Sequence, residues 1–418
     1  MSYVIRLEPK MESNKLFHLD TNIHNWYRFV LSFPPHLVKN YLNKFNASKD
    51  TLVLDPFCGT GTTLVECKKN GIPSIGFEAN PMALLSSQVK INWMIEPDEI
   101  IEIAKNIEKK ASSKIQKHKG NYLKLTHEQE KLLIKNSISP LPLHKALMLL
   151  EVINEYKENK NYNHLRLAFA KQLVNSYSNL HFGPEVGVAR KKKDDVDVVD
   201  LWLREVVSIA KDIALFKEKE NTYGEVFFAD SRNVNLNGKV DIVFTSPPYP
   251  NEKDYTRTTR LESVILGYIN NKEDLRKYKK NLLRSNTRNI YVSDNDEKYV
   301  KNNKRIMNLA KKIENKRIEL GKTSGFERYY YRVVELYFGG IYRHLISLKE
   351  YLNHNAYLAY VVGDQASYFQ ILINTGSILA EIAEDIGYKV DTIDVFRTRL
   401  STTSGKYLNE EVVVLRNS

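Results

Sequence analysis

Residues 51–63 have the sequence TLVLDPFCGTGTT. The apolar run at its start predicts a buried strand, and Gly59 and Gly61 allow the backbone to turn tightly and to approach a ligand closely. A helix is predicted to follow as far as about Asn70, and the next predicted strand ends in Glu78. The order strand, glycine-rich turn, helix, strand and acid is typical of half of a doubly wound, nucleotide-binding α/β sheet.

The glycine-rich turn differs from the two commonest phosphate-binding loops. It lacks the Gly-Lys-Ser/Thr ending of ATPase loops, and Leu64 stands where dinucleotide-binding loops have a third glycine. Glu78 can accept two hydrogen bonds from ribose hydroxyls, and Asp230, at the end of a later predicted strand, can accept one from an adenine amino group. Each acid taken alone is also compatible with a solvated strand end or a turn. Because parallel strands end at one edge of a sheet, we expect the acids and glycines to share one crevice.

A second motif, Ser246-Pro247-Pro248-Tyr249, directly follows another apolar strand. The two prolines hold the backbone extended and remove two N–H donors. Ser246 and the Pro247 carbonyl can therefore accept hydrogen bonds from the N–H groups of an amine. Tyr249 offers a flat face on which a flipped base can stack, and such stacking is worth about 1–3 kcal/mol. The alternative is a rigid exit from the strand with a packed tyrosine.

Together, the segment Asp55-Pro56-Phe57-x-Gly-Thr-Gly-Thr and the motif Ser-Pro-Pro-Tyr resemble the amino-methyltransferase family of DNA methylases. The resemblance implies that S-adenosylmethionine is the cofactor, with residues 55–61 around its methionine portion, Glu78 at its ribose and Asp230 near its adenine. The segment 24–36 is similar, more loosely, to the N-terminal cofactor-lining motif of such enzymes. The serine form of the second motif is typical of cytosine-N4 methylases, whereas adenine-N6 enzymes more often have aspartate there.

These patterns and the resemblance define a set of candidate site residues. The catalytic candidates are Ser246, Pro247, Pro248 and Tyr249. The cofactor-binding candidates are Trp26, Tyr27, Asp55, Pro56, Phe57, Cys58, Gly59, Thr60, Gly61, Thr62, Glu78, Ala79, Asp230, Ser231 and Ser246. No metal site is expected, because the chain has only two cysteines and they lack zinc-ligand spacing. No Pro-Cys dipeptide exists to serve cytosine-C5 chemistry, so Cys58 is interpreted as a packing residue.

The net charge of +12 and the isoelectric point near 9.2 favour a polyanionic partner, since cations that neutralise phosphates release counterions. A solvated basic surface is the alternative. The candidate contacts to nucleic acid are Arg190, Lys191, Lys192, Lys193, Arg257, Arg260, Arg284 and Arg288.

The predicted fold class is α/β, a Rossmann-like S-adenosylmethionine-dependent methyltransferase sheet with helices on both faces, a closing antiparallel hairpin and large helical insertions. The predicted core lies in three separated pieces of chain. The predicted segments are a cofactor-binding half at 16–95, a helical insertion at 96–221, a catalytic part at 222–255, a second helical insertion at 256–352 and the C-terminal strands at 353–418.

The predicted function is site-specific methylation of double-stranded DNA at the N4 amine of cytosine. The alternatives are a DNA adenine-N6 methylase, an RNA amino-methyltransferase, a non-catalytic nucleic-acid-binding relative and a Rossmann-type oxidoreductase. The last has no use for Ser-Pro-Pro-Tyr. No membrane span or secretory signal is recognised, so a cytoplasmic protein is expected, and a companion restriction endonuclease is a further expectation. The sequence does not indicate the target site or the oligomeric state.

Overall fold

The computed structural model describes residues 4–6, 20–29, 32–182, 185–400, 405 and 407–418. The start of the predicted cofactor-binding half, residues 16–19, lies outside these ranges. The strands are β1 (Val4–Arg6), β2 (Val53–Asp55), β3 (Ser74–Glu78), β4 (Leu180–Phe182), β5 (Val186–Val188), β6 (Gly224–Phe228), β7 (Val240–Thr245), β8 (Leu352–Gly363), β9 (Tyr388–Leu400) and β10 (Tyr407–Asn417).

Eight of these strands form one sheet in the order β1-β9-β10-β8-β7-β2-β3-β6. All neighbours pair in parallel except β10, which is antiparallel to both β8 and β9. The strand order reverses direction between β2 and β7, and a doubly wound sheet opens a ligand crevice at such a point. The predicted Rossmann-like methyltransferase fold with a closing antiparallel hairpin is confirmed.

Helices cover both faces of the sheet. The α-helices of the described chain are α1 (Pro35–Lys44), α2 (Thr62–Lys69), α3 (Pro81–Ile91), α4 (Pro97–Lys117), α5 (His127–Glu130), α6 (Pro140–Asn154), α7 (Tyr162–Gln172), α8 (Val198–Phe216), α9 (Tyr255–Thr258), α10 (Arg260–Ile265), α11 (Lys272–Lys280), α12 (Lys304–Glu319), α13 (Tyr330–Lys349) and α14 (Thr375–Ile386). Within the described part of the chain, none of them is long and apolar enough to cross a membrane.

Side-chain alternation along the central strands builds two separate hydrophobic layers. Leu54 of β2 and Val243 of β7 pack with residues of α13 and α14 on one face. Their neighbours Val53 and Ile242 pack with α1 on the other face. Both faces of the central strands are therefore buried, which explains why these strands read as continuous apolar runs in the sequence.

The first helical block, residues 96–221, packs on the core through a hydrophobic cluster that α2 and α3 share with α4, α6, α7 and α8. The second block differs from the prediction in one respect. Within the range 256–352, helix α13 packs directly on the sheet strands β7 and β8 and connects β7 with β8, so it belongs to the core. Its apolar residues recur at helical spacing, which does not by itself distinguish a core helix from an inserted one.

Local sequence signals fix the turns at the carboxyl edge of the sheet. Gly61 precedes α2 with a φ of 87°, a left-handed conformation that suits glycine. Asn80 caps α3, because its side chain accepts hydrogen bonds from the Met82 and Ala83 amides at 3.0 and 3.3 Å. Pro81 occupies the first turn of that helix. These turns place the chain ends of β2 and β3 side by side.

Candidate active site

A cavity of about 810 Å³ opens at the carboxyl edge of the sheet, large enough for a nucleoside-sized ligand together with a base. Both motifs found in the sequence contribute to it. The predicted site residues that line the cavity are Phe57, Cys58, Gly59, Thr60, Thr62, Glu78, Ala79, Asp230, Ser231, Ser246, Pro247, Pro248 and Tyr249. Asp55, Pro56 and Gly61 lie behind this lining. The cofactor loop and the catalytic motif thus face one another across a single space.

A direct hydrogen bond joins the two motifs. The Thr245 hydroxyl donates to Asp55 Oδ1 at 2.6 Å, and the Phe57 amide donates to both Thr245 Oγ1 and Asp55 Oδ1 at 3.2 Å. Asp55 is fully buried, and burial raises the pKa of its carboxyl to about 6. Its second oxygen, Oδ2, is buried and accepts no hydrogen bond among the described residues. Asp55 therefore fixes the ends of β2 and β7 relative to one another.

Glu78 is held by backbone amides on both sides of its carboxylate. The Gly59 amide donates to Oε2 at 2.8 Å and the Asn80 amide donates to Oε1 at 2.6 Å. Each carboxylate oxygen can accept a further hydrogen bond, so Glu78 can still bind the hydroxyls of a ribose. Burial nevertheless raises the pKa of Glu78 to about 7.

The glycine loop leaves room for a ligand. A side chain at Gly59 would meet no atom within 4 Å, and its φ of 52° is a conformation that other residues adopt rarely. A Cβ at Gly61 would instead lie 3.1 Å from the Ser87 backbone. Gly59 therefore keeps the cavity open, whereas Gly61 allows α2 and α3 to approach closely.

Asp230 lines the same cavity, but its carboxylate is already paired. Arg232 donates from Nη2 to Asp230 Oδ2 at 2.7 Å and from Nε to Oδ1 at 2.9 Å. Arg232 is buried and also contacts Asp296 at 2.8 Å. The Ser231 hydroxyl donates to the Pro56 carbonyl, which joins the end of β6 to the cofactor loop. Asp230 is thus oriented by an arginine and keeps acceptor capacity toward the cavity.

The Ser-Pro-Pro-Tyr motif, the predicted catalytic motif, is positioned by β8. Ser246 donates its hydroxyl hydrogen to the Val361 carbonyl at 3.0 Å, so its oxygen remains free to accept a hydrogen bond from a substrate. The Tyr249 ring packs on Gly363 so closely that a Cβ there would lie 3.0 Å from Tyr249 Cε2. Tyr249 lines the cavity half-buried, and its ring is held against the strand end.

The N-terminal segment meets the prediction only in part. Trp26 is 1% exposed and its indole donates to Asp212 Oδ2 in α8 at 2.8 Å, away from the cavity. Tyr27 donates its hydroxyl to Glu262 and lines a smaller pocket of about 110 Å³ beside the cavity. Phe29, Ser32 and Phe33 line the main cavity instead. The aromatic pattern identified the segment but not which of its residues face the cavity.

A sequence model of the DNA methylase family, which covers N6 and N4 methyltransferases, matches residues 8–88. The type II methyltransferase M.BsoBI from Geobacillus stearothermophilus is 28% identical over 429 aligned positions, which cover 92% of this chain and 83% of that protein. The type II methyltransferase M.AvaI from a Nostoc species is 23% identical over 423 positions, which cover 91% of this chain and 82% of that protein.

These matches support the amino-methyltransferase family of DNA methylases as the family that this chain resembles. The chain also aligns with the solved structure of the rRNA methyltransferase aviRa from Streptomyces viridochromogenes, over 92% of its own length and 86% of that chain. The TM-score of that alignment is 0.32 and the sequence identity is 10%.

The structure separates the predicted DNA contacts into distinct groups. Arg257 and Arg288 line the small pocket beside the cavity, and Arg190 and Lys191 are exposed but outside both pockets. Lys192 and Lys193 donate to the carbonyls of their own region, Ala189 and Ser176. Arg260 donates to Thr256, one helical turn earlier.

Arg284 requires a correction. Its side chain is buried and makes a two-pronged ion pair with Asp294, at 2.8 Å for both nitrogen–oxygen contacts. It also donates to the carbonyls of Lys279, Lys280 and Leu282. A guanidinium satisfied in this way holds the loop after α11 together and is not available to DNA. Its position in a basic stretch suggested contact, but the sequence did not reveal the acid ten residues later as its partner.

Sequence reasoning missed several cavity residues because they lie outside the two motifs. The missed residues with polar or charged side chains include Asn80, Glu185, Asn251, Glu252, Lys253, Tyr255, Tyr278, Asn281, Ser285, Asn289, Gln365, Ser367, Arg397, Arg399 and Glu410. One signal was present: Arg397 and Arg399 stand near the end of β9, which runs parallel to β7 and β8 and therefore ends at the same edge. The shared edge of parallel strands therefore predicts these cations beside the acids and glycines.

Proposed function

We propose that this DNA methylase transfers a methyl group from S-adenosylmethionine to the N4 amine of a cytosine that is flipped out of duplex DNA at a specific site. The observation that supports this most is Ser246. Its hydroxyl hydrogen is committed to the Val361 carbonyl, so its oxygen faces the cavity as an acceptor without a negative charge. A neutral acceptor of this kind is the form that the family uses most often for cytosine.

The residues around the cavity fit the cofactor. Gly59 has open space where a side chain would stand, and the nearby carboxylates of Glu78 and Asp230 suit hydroxyl and amino groups and a cationic sulfur. The buried Asp55 Oδ2, which has no partner among the described residues, adds a further acceptor just behind the loop. S-adenosylmethionine, when bound, supplies a methyl group that is electrophilic because it is attached to a positively charged sulfur.

The chain's own groups then act on the amine. The lone pair of an exocyclic amine is delocalised into the base, which makes the amine a weak nucleophile. Ser246 Oγ and the Pro247 carbonyl accept hydrogen bonds from its two N–H groups and favour a more tetrahedral nitrogen, with the lone pair directed at the cofactor side. The nitrogen bonds to the methyl group as the bond from that methyl to sulfur breaks, and the methylated nitrogen then releases one proton to water. Tyr249 stacks on the base and fixes its plane. Most of the rate enhancement then comes from positioning.

Covalent catalysis by a cysteine has no support in this cavity. Cys58 and Cys67 are both buried, and burial raises the pKa of each thiol well above its ordinary value. Cys58 packs between Gly76 and the loop, where its sulfur would lie 3.0 Å from a Cβ at Gly76. A packing role for Cys58 therefore agrees with transfer to an amine, which needs no covalent intermediate on the base.

Site specificity and a companion restriction endonuclease are part of the proposal, since the relatives M.BsoBI and M.AvaI are named type II methyltransferases. We assign residues 16–95, 222–255, 330–349 and 353–418 to the catalytic core. Sequence reading is assigned to residues 96–221 and to the part of the second block that precedes α13. The pocket lined by Arg257 and Arg288 lies between these two blocks and the catalytic loop, which suits contact with DNA.

The experiment that tests the proposal is methylation of plasmid DNA with isotope-labelled cofactor, followed by digestion to nucleosides and identification of the product by mass and retention time. N4-methylated deoxycytidine is the expected product. Methylated deoxyadenosine as the sole product would overturn the choice of cytosine, and label that enters only RNA would overturn the choice of DNA. The Tyr249→Ala protein serves as the control that links the product to this cavity.

A further inference from the structure

Among the described residues that line the main cavity, the cationic side chains all stand on its catalytic side. They are Lys253, Arg397 and Arg399. Lys253 lies four residues after Tyr249, and the two arginines stand near the end of β9, which finishes at the same edge of the sheet. The acids of the cofactor side, Glu78 and Asp230, are on the opposite part of the lining. The cavity thus separates its cations from the wall that suits a positively charged cofactor.

Glu410 brings the two arginines next to the catalytic tyrosine. In the sheet register, Glu410 of β10 stands opposite Gly363 of β8 and opposite Arg397 of β9. Arg397 Nη1 lies 3.3 Å from Glu410 Oε2, and Arg399 Nε lies 3.5 Å from Glu410 Oε1. Because Tyr249 packs on Gly363, the cluster of Glu410 and the arginines borders the ring on which the base would stack.

The ion pairs in this cluster are loose and partly open to solvent. The Arg397 and Arg399 side chains remain 31% and 33% exposed, and both contacts to Glu410 are longer than the 2.7–2.9 Å of a strong charged hydrogen bond. Lys253 Nζ makes no hydrogen bond or ion pair with any described residue, while burial and Arg399 lower its pKa. Arg397 and Arg399 share the Glu410 carboxylate, and Arg399 also donates to the Asp364 carbonyl at 3.0 Å. Glu185 and Glu252 also line the cavity, but neither forms an ion pair with these three cations. The three cations therefore keep N–H donors for an anionic ligand at the mouth of the cavity.

We propose that Lys253, Arg397 and Arg399 bind the backbone phosphates that flank the flipped nucleotide. The inference rests on the proposed function, because a base stacked on Tyr249 carries its sugar and phosphates out toward this cluster. Phosphate oxygens replace Glu410 as partners of the two guanidiniums, which present several N–H donors in a fixed plane. Glu410 holds the arginines in place when DNA is absent.

An equivalent ion pair on the same two strands provides a matched control. Arg416 of β10 pairs with Asp391 of β9 at 3.0 Å, and its side chain is 29% exposed. This pair lies at the opposite edge of the sheet, away from the cavity. It is likewise an arginine–carboxylate pair on these two strands with a similar exposure, and it lies outside the cavity that would hold the flipped nucleotide. Arg416 additionally donates to the Tyr357 hydroxyl, and its guanidinium lies over the Tyr357 ring.

The test measures binding of a fluorescently labelled fragment of the plasmid that the unmodified protein methylates, by fluorescence anisotropy over a range of salt concentrations. Lys253→Gln, Arg397→Gln and Arg399→Gln are each expected to weaken binding and to reduce the slope of log K against log [salt] by about 1. Arg416→Gln is expected to change neither. Arg397→Lys, which keeps the charge, is expected to retain the slope of the unmodified protein. In steady-state kinetics, the three glutamine variants at Lys253, Arg397 and Arg399 should change KM for DNA more than kcat.

Glu410→Gln is expected to change DNA affinity in the opposite direction, and this distinguishes phosphate binding from a purely structural role of the cluster. Removal of the competing carboxylate is expected to tighten DNA binding several-fold, whereas an ion pair that only stabilises the fold would give weaker binding and a lower melting temperature. Salt slopes that do not change, or an equal loss in Arg416→Gln, would overturn the inference. Thermal unfolding and cofactor binding of each variant establish that it is folded. The readout is DNA affinity, so an adenine product would overturn the proposed base without altering this result.

Discussion

The Thr245 hydroxyl donates to the Asp55 carboxylate at 2.6 Å, across 190 positions of sequence. Asp55 opens the proposed cofactor loop, and Thr245 is the residue immediately before Ser246, the first residue of the proposed catalytic motif. One short contact between adjacent parallel strands therefore sets the distance between the two halves of the site. Any change in it is transmitted to both halves, because each residue is the last of its strand.

Thr245→Val tests this contact with a side chain of nearly the same shape. Loss of the hydroxyl leaves Asp55 buried with only the Phe57 amide as donor, so we expect the free energy of unfolding to fall by about 1–3 kcal/mol. Cofactor affinity and turnover should fall together. Thr245→Ser retains the hydroxyl and should behave like the unmodified protein in chemical denaturation and calorimetric binding. Equal effects of the two substitutions would contradict a role for the hydrogen bond.

Tyr249→Ala should abolish most turnover while cofactor binding stays near normal. The ring contributes a stacking face of about 1–3 kcal/mol, which corresponds to a loss of roughly 5- to 150-fold in kcat/KM for DNA. Tyr249→Phe keeps the face and should retain most activity. The measurements are steady-state methylation of DNA and calorimetric titration with S-adenosylhomocysteine. A comparable loss of cofactor affinity in Tyr249→Ala would argue against its assignment to the base.

Lys90 couples the cofactor loop to the N-terminal segment. Its buried ammonium donates to the Thr60 carbonyl at 3.0 Å and to the Tyr27 carbonyl, and burial lowers its pKa well below the ordinary value. Lys90→Met should cost about 1–3 kcal/mol of stability by leaving these carbonyls without a donor, and it should also weaken cofactor binding.

Lys68 supplies the control for Lys90. It is buried and donates to the carbonyls of Glu220 and Thr222 at 2.8 and 2.6 Å, away from the cavity. Lys68→Met should lower the melting temperature to a similar extent but leave cofactor affinity unchanged. If both variants bind the cofactor equally well, Lys90 has only a structural role.

Cofactor affinity should depend on pH through Glu78. The pKa of Glu78 is raised to about 7, and the ionised carboxylate accepts hydrogen bonds from a ribose better than the neutral acid does. Affinity is therefore expected to rise with pH, levelling off above 7, and to fall by up to tenfold per pH unit below it. In the protein without cofactor, the pH dependence of stability has the opposite direction. The contribution of Glu78 to the free energy of unfolding is fully present below pH 4.5 and is lost as pH rises through about 7.

Calorimetric titration between pH 6 and 8.5 measures this dependence. Glu411 provides the control, because burial also raises its pKa to about 7 but it does not line the cavity. Glu411→Gln should leave the pH dependence of cofactor binding intact. A flat profile in the unmodified protein would mean that Glu78 is ionised throughout this range or does not contact the cofactor.

The sequence was a good guide where backbone chemistry is local. The glycine loop, the acid at the end of β3 and the prolines before Tyr249 can each be recognised from their neighbours, and the fold class follows from their order. Arg284 and Trp26 show where this fails: both sit in stretches of the expected composition, yet Asp294 and Asp212 bind their side chains. The prediction that placed α13 in an insertion was wrong for a related reason, because helical periodicity does not indicate which surface a helix covers.

The sequence by itself therefore determined the class of sheet, the two motifs and the type of reaction, because these depend on residue types at short spacing. Only the tertiary structure decided that Thr245 bonds to Asp55, that Gly363 supports Tyr249, and that Lys253, Arg397 and Arg399 gather beside the catalytic loop. The physical reason is that these contacts depend on strand order and register. Pairing places residues that are 100 or more positions apart within a few ångströms, and no local pattern encodes that distance.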